Sequence, residues 1–198
     1  MKLSNQHKAI IIGTLLGDGC LERNGKKVRL RLEHGIGQKS YLLWKYEKLK
    51  GLITGKPMRI HAFHKNNQCF YDSLRIYTFS DGAFEPYWNS FYFNRKKVLP
   101  LNISKLLTDP LSVAVWFMDD GYKRNDCNAF RFSTESFGKS EQRNLCQVLK
   151  TNFNIDSTIH KKGRWWNIYI PQKSSRRFVE LVKPYIIPSL KYKITLAP

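Results

Sequence analysis

Two apolar stretches that each end in Asp-Gly constrain this chain more than any other feature: residues 11–19 (IIGTLLGDG) and residues 113–121 (VAVWFMDDG). Asp18 and Asp120 lie 102 residues apart, and Lys39-Ser40 recurs as Lys139-Ser140 at an offset of 100. Around these landmarks one order of elements is read twice: apolar helix, strands of alternating basic and apolar residues, amphipathic helix, more strands, helix. Two copies of one unit in a single chain imply an approximate internal twofold, with the join between residues 98 and 109.

Local signals set the elements. Ser4 is an N-cap candidate for the first apolar helix, and Asp109-Pro110 places an N-cap before a proline at the first helical position of the second. Both helices are expected to stop at a glycine in the left-handed conformation, Gly19 and Gly121. Val28, Leu30 and Leu32 alternate with Arg29, Arg31 and Glu33, as in a half-buried strand. Further strands are expected at residues 58–64, 69–79, 129–134, 157–161 and 165–170, and helices at 39–52, 83–93, 140–153 and 174–185. Trp44, Tyr46, Trp88 and Phe91 read as core aromatics behind the sheets. His61 and His64, three apart on a strand, point to opposite faces and so do not form a metal pair.

An aspartate in the last turn of a helix faces the negative end of the helix dipole, a mildly unfavourable place of about 0.3 to 1 kcal/mol. Two helices ending this way suggest a use for the carboxylates, namely a negative focus for a divalent cation. Gly13 and Gly17 lie four apart on one helix face and permit close approach of a second backbone. If the two apolar helices pack side by side and parallel, Asp18 and Asp120 converge at one end.

The expected partner follows from charge. The chain has 198 residues, with 34 Lys and Arg against 15 Asp and Glu, a formal charge of +19. Both halves share the surplus, which favours a nucleic-acid partner over a basic tail on a neutral domain. The longest apolar runs are too short to span a bilayer. Cys20, Cys69, Cys127 and Cys146 form no CxxC pair and read as reduced thiols of an intracellular protein. No Ser-His-Asp or Cys-His constellation stands out.

These two stretches resemble the motif of the LAGLIDADG homing endonucleases, with Asp18 and Asp120 at its final acidic position. The spacing is similar to that of the single-chain, two-motif members. Residues 94–100 (NRKKVLP) and 183–193 (KPYIIPSLKYK) resemble segments that follow each repeat there. The resemblance implies an α+β fold of two pseudo-twofold-related αββαββα-type repeats, residues 1–97 and 110–198 with a linker at 98–109. Antiparallel sheets would form a DNA-binding saddle around two central parallel-packed helices.

It also implies a monomeric, site-specific double-strand DNA endonuclease that cuts across the minor groove of a long asymmetric target and leaves 3′ overhangs. The implied cofactor is Mg²⁺, with Mn²⁺ or Ca²⁺ able to substitute for binding. By position, Asp18 and Asp120 are the metal ligands, with Gly17 and Asp119 beside them, and Lys97, Lys193 and Gln38 are the further catalytic residues. The position equivalent to Gln38 is Gly138 in the second repeat, so the half-sites are unequal. Asp119 either faces solvent or aids metal binding, and solvent is the favoured reading.

Specificity is expected from polar strand faces, because a two-stranded ribbon fits the major groove and arginine reads guanine bidentately. The candidates are Arg23, Arg29, Arg31, Arg59, Arg75, Tyr77, Lys123, Arg131, Ser133, His160, Lys162, Arg164 and Asn167. The alternative is a non-cleaving binder on the same scaffold, an intron RNA maturase or a DNA-binding regulator. A generic RNA-binding protein would explain the charge and leave the paired helix ends without a reason.

Overall fold

A computed structural model describes residues 1–64 and 67–196, arranged in two compact units: residues 1–7 with 18–89, and residues 8–17 with 90–198. Helix α1 (Asn5–Leu16) starts where the Ser4 hydroxyl accepts the His7 amide at 3.1 Å, the expected cap. Every residue from Ala9 to Leu16 is buried, as befits a segment apolar on all sides.

The first unit is a sheet backed by a helix. Its strands are β1 (Cys20–Asn24), β2 (Lys27–Gly35), β3 (Ile53–His64) and β4 (Cys69–Thr78), antiparallel in the order β1-β2-β4-β3. In β2 the alternation holds: Val28, Leu30, Leu32 and His34 are buried. Helix α2 (Lys39–Lys48) sets Tyr41, Leu42 and Lys45 inside, with Ile76 of β4 and the nearby Leu52 and Phe84 completing the core. Strand β1 gives no clear signal in the sequence, because Leu21 is its one buried residue among the five. Further on, α3 (Glu85–Phe91) buries Phe91 alone of the expected core aromatics. Trp44, Tyr46 and Trp88 are half-buried: helices lying on the outside of a sheet turn only one stripe inward.

The second unit repeats the pattern. The hairpin β5 (Tyr92–Phe93) and β6 (Lys96–Lys97) leads through α4 (Ile103–Leu106) to α5 (Pro110–Asp120), where Asp109 accepts the Leu111 amide at 2.8 Å and Pro110 opens the helix. Then come β7 (Gly121–Lys123), β8 (Phe130–Phe132), α6 (Lys139–Phe153), β9 (Thr158–Lys162), β10 (Trp165–Ile170) and α7 (Gln172–Val182). The sheet order β7-β8-β10-β9 is the same permutation as in the first unit. Gln38 and Gly138 both stand at the N-caps of the corresponding helices, α2 and α6. Trp116 lies against Phe132 with ring centroids 4.1 Å apart, and Phe117 meets Phe130, Phe132 and Phe178 edge-on.

Helices α1 and α5 pack within this second unit. A Cβ on Gly13 would lie 2.4 Å from the Ser112 carbonyl oxygen and 2.7 Å from Val115 Cβ, and one on Gly17 would lie 2.6 Å from Asp119 Cβ. Moving from 13 to 17 on one helix moves from 112 to 119 on the other, so the two run parallel. The expected left-handed stops do not occur. Gly121 is extended (φ −85°, ψ 149°) and continues directly into β7; it is glycine because a Cβ would sit 2.0 Å from the Phe117 ring. Gly19 is likewise outside the left-handed region, which is used by Gly25, Gly55 and Gly163.

The β5–β6 loop places non-glycine residues in that region, Asn94 at φ 47° and Arg95 at φ 63°. Both central residues of a two-residue type I′ hairpin need positive φ, and Asn-Gly satisfies this best. Arg95→Gly is therefore expected to stabilise the hairpin by about 0.5–1 kcal/mol, measured as a raised midpoint in denaturant unfolding. Among the described residues no helix is long and apolar enough to cross a membrane, and no disulfide joins the cysteines.

Candidate active site and nucleic-acid interface

In the first unit the chain leaves α1 and reaches Asp18, whose side chain is 46% exposed. Asp18, Arg31, Glu33, His34, Gly35, Gly37, Gln38 and Tyr71 line a cleft of about 530 Å³. Two candidates expected to act together, Asp18 and Gln38, thus share one cavity. In the second unit Asp120 ends α5, half-buried, and its carbonyl accepts the Ser133 amide at 3.0 Å.

The lysines singled out in the sequence arrive at helix ends. Lys97 donates to the Gly17 carbonyl at 2.8 Å, and Lys193, only 8% exposed, donates to the Met118 carbonyl at 2.7 Å. The last carbonyls of a helix are unsatisfied and carry its negative end, so a cation there is favourable. Both ends therefore already hold a positive charge on main-chain oxygen. The carboxylates of Asp18 and Asp120 are oxygen donors of the kind that Mg²⁺ and Ca²⁺ prefer, so these residues fit such an ion. Asp119 does not face solvent: it is 8% exposed and packs against Gly17, because the close helix contact covers that side of α5.

The polar face of the first sheet is a braced array. Arg29 and Arg31 both contact Glu22, at 3.1 and 2.8 Å, and Arg29 lies over the Tyr77 ring at 3.9 Å. Arg75 meets Glu33 at 2.7 Å, and the Ser73 hydroxyl donates to the same carboxylate at 2.6 Å. Burial pushes the Glu33 carboxyl up, but the bonds from Ser73 and Arg75 together outweigh it and leave the carboxyl below its ordinary range. These guanidiniums are held in fixed directions before any anion arrives.

Three candidates stand on the other face. Arg23 pairs with Val28 across the β1–β2 hairpin, bonds Glu85 at 2.8 Å and covers Trp88. Arg59 pairs with Leu74, on the inner side of β4; the two-residue register shift between Thr54 and Met58 in β3 leaves its face unchanged. There it meets Asp72 at 2.7 Å, and with His61 it holds the Asp72 carboxyl down to about 2. His61 and His64 do fall on opposite faces, opposite Asp72 and Cys69. Lys123 pairs with core Phe130, so its strand position belongs to the inner face.

In the second sheet Arg131, His160, Asn167 and Tyr169 share a face by register. His160 stacks on Tyr169 with centroids 4.1 Å apart, Arg131 lies 5.7 Å from that ring, and Lys162 lies 5.8 Å from the Tyr122 ring. Burial, then Arg131 and Arg124, lower the His160 pKa, which favours the neutral ring. Ser133 is half-buried, and Arg164 sits at the hairpin turn over Trp165. Asn167 is fully buried, with both amide atoms lacking a hydrogen-bond partner. It is covered by its neighbours rather than presented at the surface. The sequence candidates do not include Tyr122, Tyr169 and Trp165 on this face, nor Glu22 on the first; period-two alternation, which had already placed Glu33 beside Arg29 and Arg31, was the available signal.

Known proteins match along nearly the whole chain. It is 32% identical over 199 residues to a cytochrome b mRNA maturase bI2 of Debaryomyces hansenii, covering 97% of this chain and 74% of that protein. It is 31% identical over 212 residues to the DNA endonuclease I-ChuI of Chlamydomonas applanata, covering 98% of this chain and 97% of that one. The homing endonuclease I-WcaI, solved bound to its DNA recognition sequence, superposes with a TM-score of 0.92 at 27% identity, covering 100% of this chain and 89% of that one. A family model described as the LAGLIDADG DNA endonuclease family matches residues 8–178. With the repeated sheet order and the two motif helices packed along Gly13 and Gly17, this chain belongs to the LAGLIDADG DNA endonuclease family.

Proposed function

We propose that the chain is a site-specific endonuclease that hydrolyses both strands of a long asymmetric DNA target across the minor groove, with a divalent cation, and leaves 3′ overhangs. The observation that carries this reading is the pair of lysines on the carbonyls at the ends of α1 and α5, each beside an acidic residue of its motif. In this reading Asp18 and Asp120 supply carboxylate oxygens to Mg²⁺, which when bound polarises the phosphoryl oxygen and acidifies a coordinated water. Lys97 and Lys193, oriented by their carbonyl contacts, offset the negative charge that develops at phosphate and leaving oxygen. Gln38, in the cleft beside Asp18, hydrogen-bonds water on that side. Arg29, Arg31, Arg75 and Tyr77 on one sheet, and Arg131, His160 and Lys162 on the other, contact the duplex. The repeats span residues 1–97 and 110–198, and the active form is a monomer that takes one half-site per repeat, about two turns of DNA.

A second reading, binding of intron RNA, is favoured by the similarity to a protein named as an mRNA maturase. One assay separates the two. The protein is incubated with a library of duplex sites in Mg²⁺ and in EDTA, and the ends are sequenced. Metal-dependent cuts at one long site support the endonuclease, and retention of structured intron RNA without any cut duplex supports the second.

A further inference from the structure

The core of the first unit contains a buried lysine. Lys45 of α2 is fully buried, its Nζ 3.1 Å from His34 Nε2 and 4.4 Å from the centre of the Tyr41 ring. His34, at the end of β2, is 4% exposed; its ring centre lies 4.9 Å from that of Tyr41, and its Nδ1 stands 3.8 Å from Asp18 Oδ2. An ammonium is strongly disfavoured in a core unless partnered, and a leucine or methionine would fill this place with less difficulty.

The direction of the contacts gives the lysine a use. A lysine ammonium has only donors, so the imidazole nitrogen facing it accepts. A neutral ring that accepts at Nε2 carries its proton on Nδ1, the nitrogen that faces Asp18. We propose that His34 is a positioning residue for Asp18: Lys45 fixes the tautomer of His34, and the Nδ1–H aims the Asp18 carboxylate at the cation. The proposal rests on the reading of Asp18 as a metal ligand. The separation of 3.8 Å exceeds a hydrogen bond, so the proposal requires the exposed Asp18 carboxylate to turn toward the ring.

Among the described residues the other half has no histidine–lysine pair at the equivalent positions. By the offset of 100, His34 corresponds to Thr134 and Lys45 to Leu145. Thr134 donates to Gln142 at 3.0 Å, a bond between neutral groups. The device therefore belongs to the first motif alone, on the side that also has Gln38 in place of Gly138. Partners that orient a ligand typically contribute roughly 10–100-fold in metal affinity or activity.

Two measurements on the full chain test this. In the metal-free unmutated protein, nitrogen NMR of the His34 ring is expected to place the proton on Nδ1, and Lys45→Met to move it toward Nε2. In the presence of its cleavable duplex, His34→Leu is expected to raise the Mg²⁺ concentration for half-maximal cleavage, and to weaken Ca²⁺ binding by calorimetry, at least about tenfold, with the KM for DNA unchanged. His34→Asn, which keeps a donor near the Nδ1 position, is expected to recover part of the loss. A proton on Nε2 in the unmutated protein, or an unchanged cation requirement in His34→Leu, overturns this proposal while leaving the endonuclease reading intact. Failure of the unmutated protein to cut any duplex or bind Ca²⁺ overturns both.

Discussion

Asp18→Asn and Asp120→Asn each slow strand cleavage by about 10³-fold or more, while affinity for the duplex is unchanged or slightly higher. Losing a carboxylate ligand removes several kcal/mol of transition-state stabilisation, and each 1.36 kcal/mol is a factor of ten in rate. In the proposed function the DNA contacts are assigned to other residues, and removing a negative charge from a protein of charge +19 only favours a polyanion. Single-turnover cleavage under saturating protein, with a parallel binding titration in Ca²⁺, separates the two quantities. The substitutions are nearly isosteric, so folding is preserved. A variant that cuts within tenfold of the unmutated rate removes that aspartate from the proposed site.

Gly13→Val destabilises the protein by about 3 kcal/mol, visible as a lower midpoint in denaturant at unchanged slope. The obstacle to a side chain at Gly13 is main-chain: the Ser112 carbonyl oxygen would lie 2.4 Å from the new Cβ, and Val115 Cβ at 2.7 Å. A backbone oxygen inside a buried helix cannot swing aside, so α1 and α5 must separate. Gly13→Ala tests the same clash with an opposing gain, since alanine in a helix interior is favoured over glycine by about 1 kcal/mol; its net loss is expected to be smaller. Gly35→Ala, with open space where its Cβ would be, is the control and shifts the midpoint little. Equal stability of Gly13→Val and Gly35→Ala would refute the packing account.

Much of the fold was readable because the signals are local. Ser4 and Asp109-Pro110 mark helix starts through a side chain bonding an amide two or three residues away. β2 was legible because Val28, Leu30 and Leu32 alternate over one buried face. Strands β1 and β7 were missed because short edge strands show too little alternation to register. The helix stops were misread for a related reason. Gly121 looks like any glycine after a helix, and only the packed Phe117 ring reveals why it has no side chain.

The site divides the same way. Its acidic motif ends could be named from the repeat, while Lys97, Lys193 and Gln38 entered only through the resemblance to the family. Which face a strand residue occupies could not, because parity depends on the partner strand and on irregularities in between. Pairing with Val28, Leu74 and Phe130 puts Arg23, Arg59 and Lys123 on the far side.

By itself the amino-acid order determined the duplication, the two apolar helices with their acidic ends and the surplus of positive charge, all properties of near neighbours and composition. Only the tertiary structure decided that Lys97 and Lys193 bind the ends of α1 and α5, that Asn167 is covered, and that Lys45 stands behind His34 and Asp18. Those contacts join residues 11 to 80 positions apart, and distance along a chain carries no information about them until strand register and helix packing bring the side chains together.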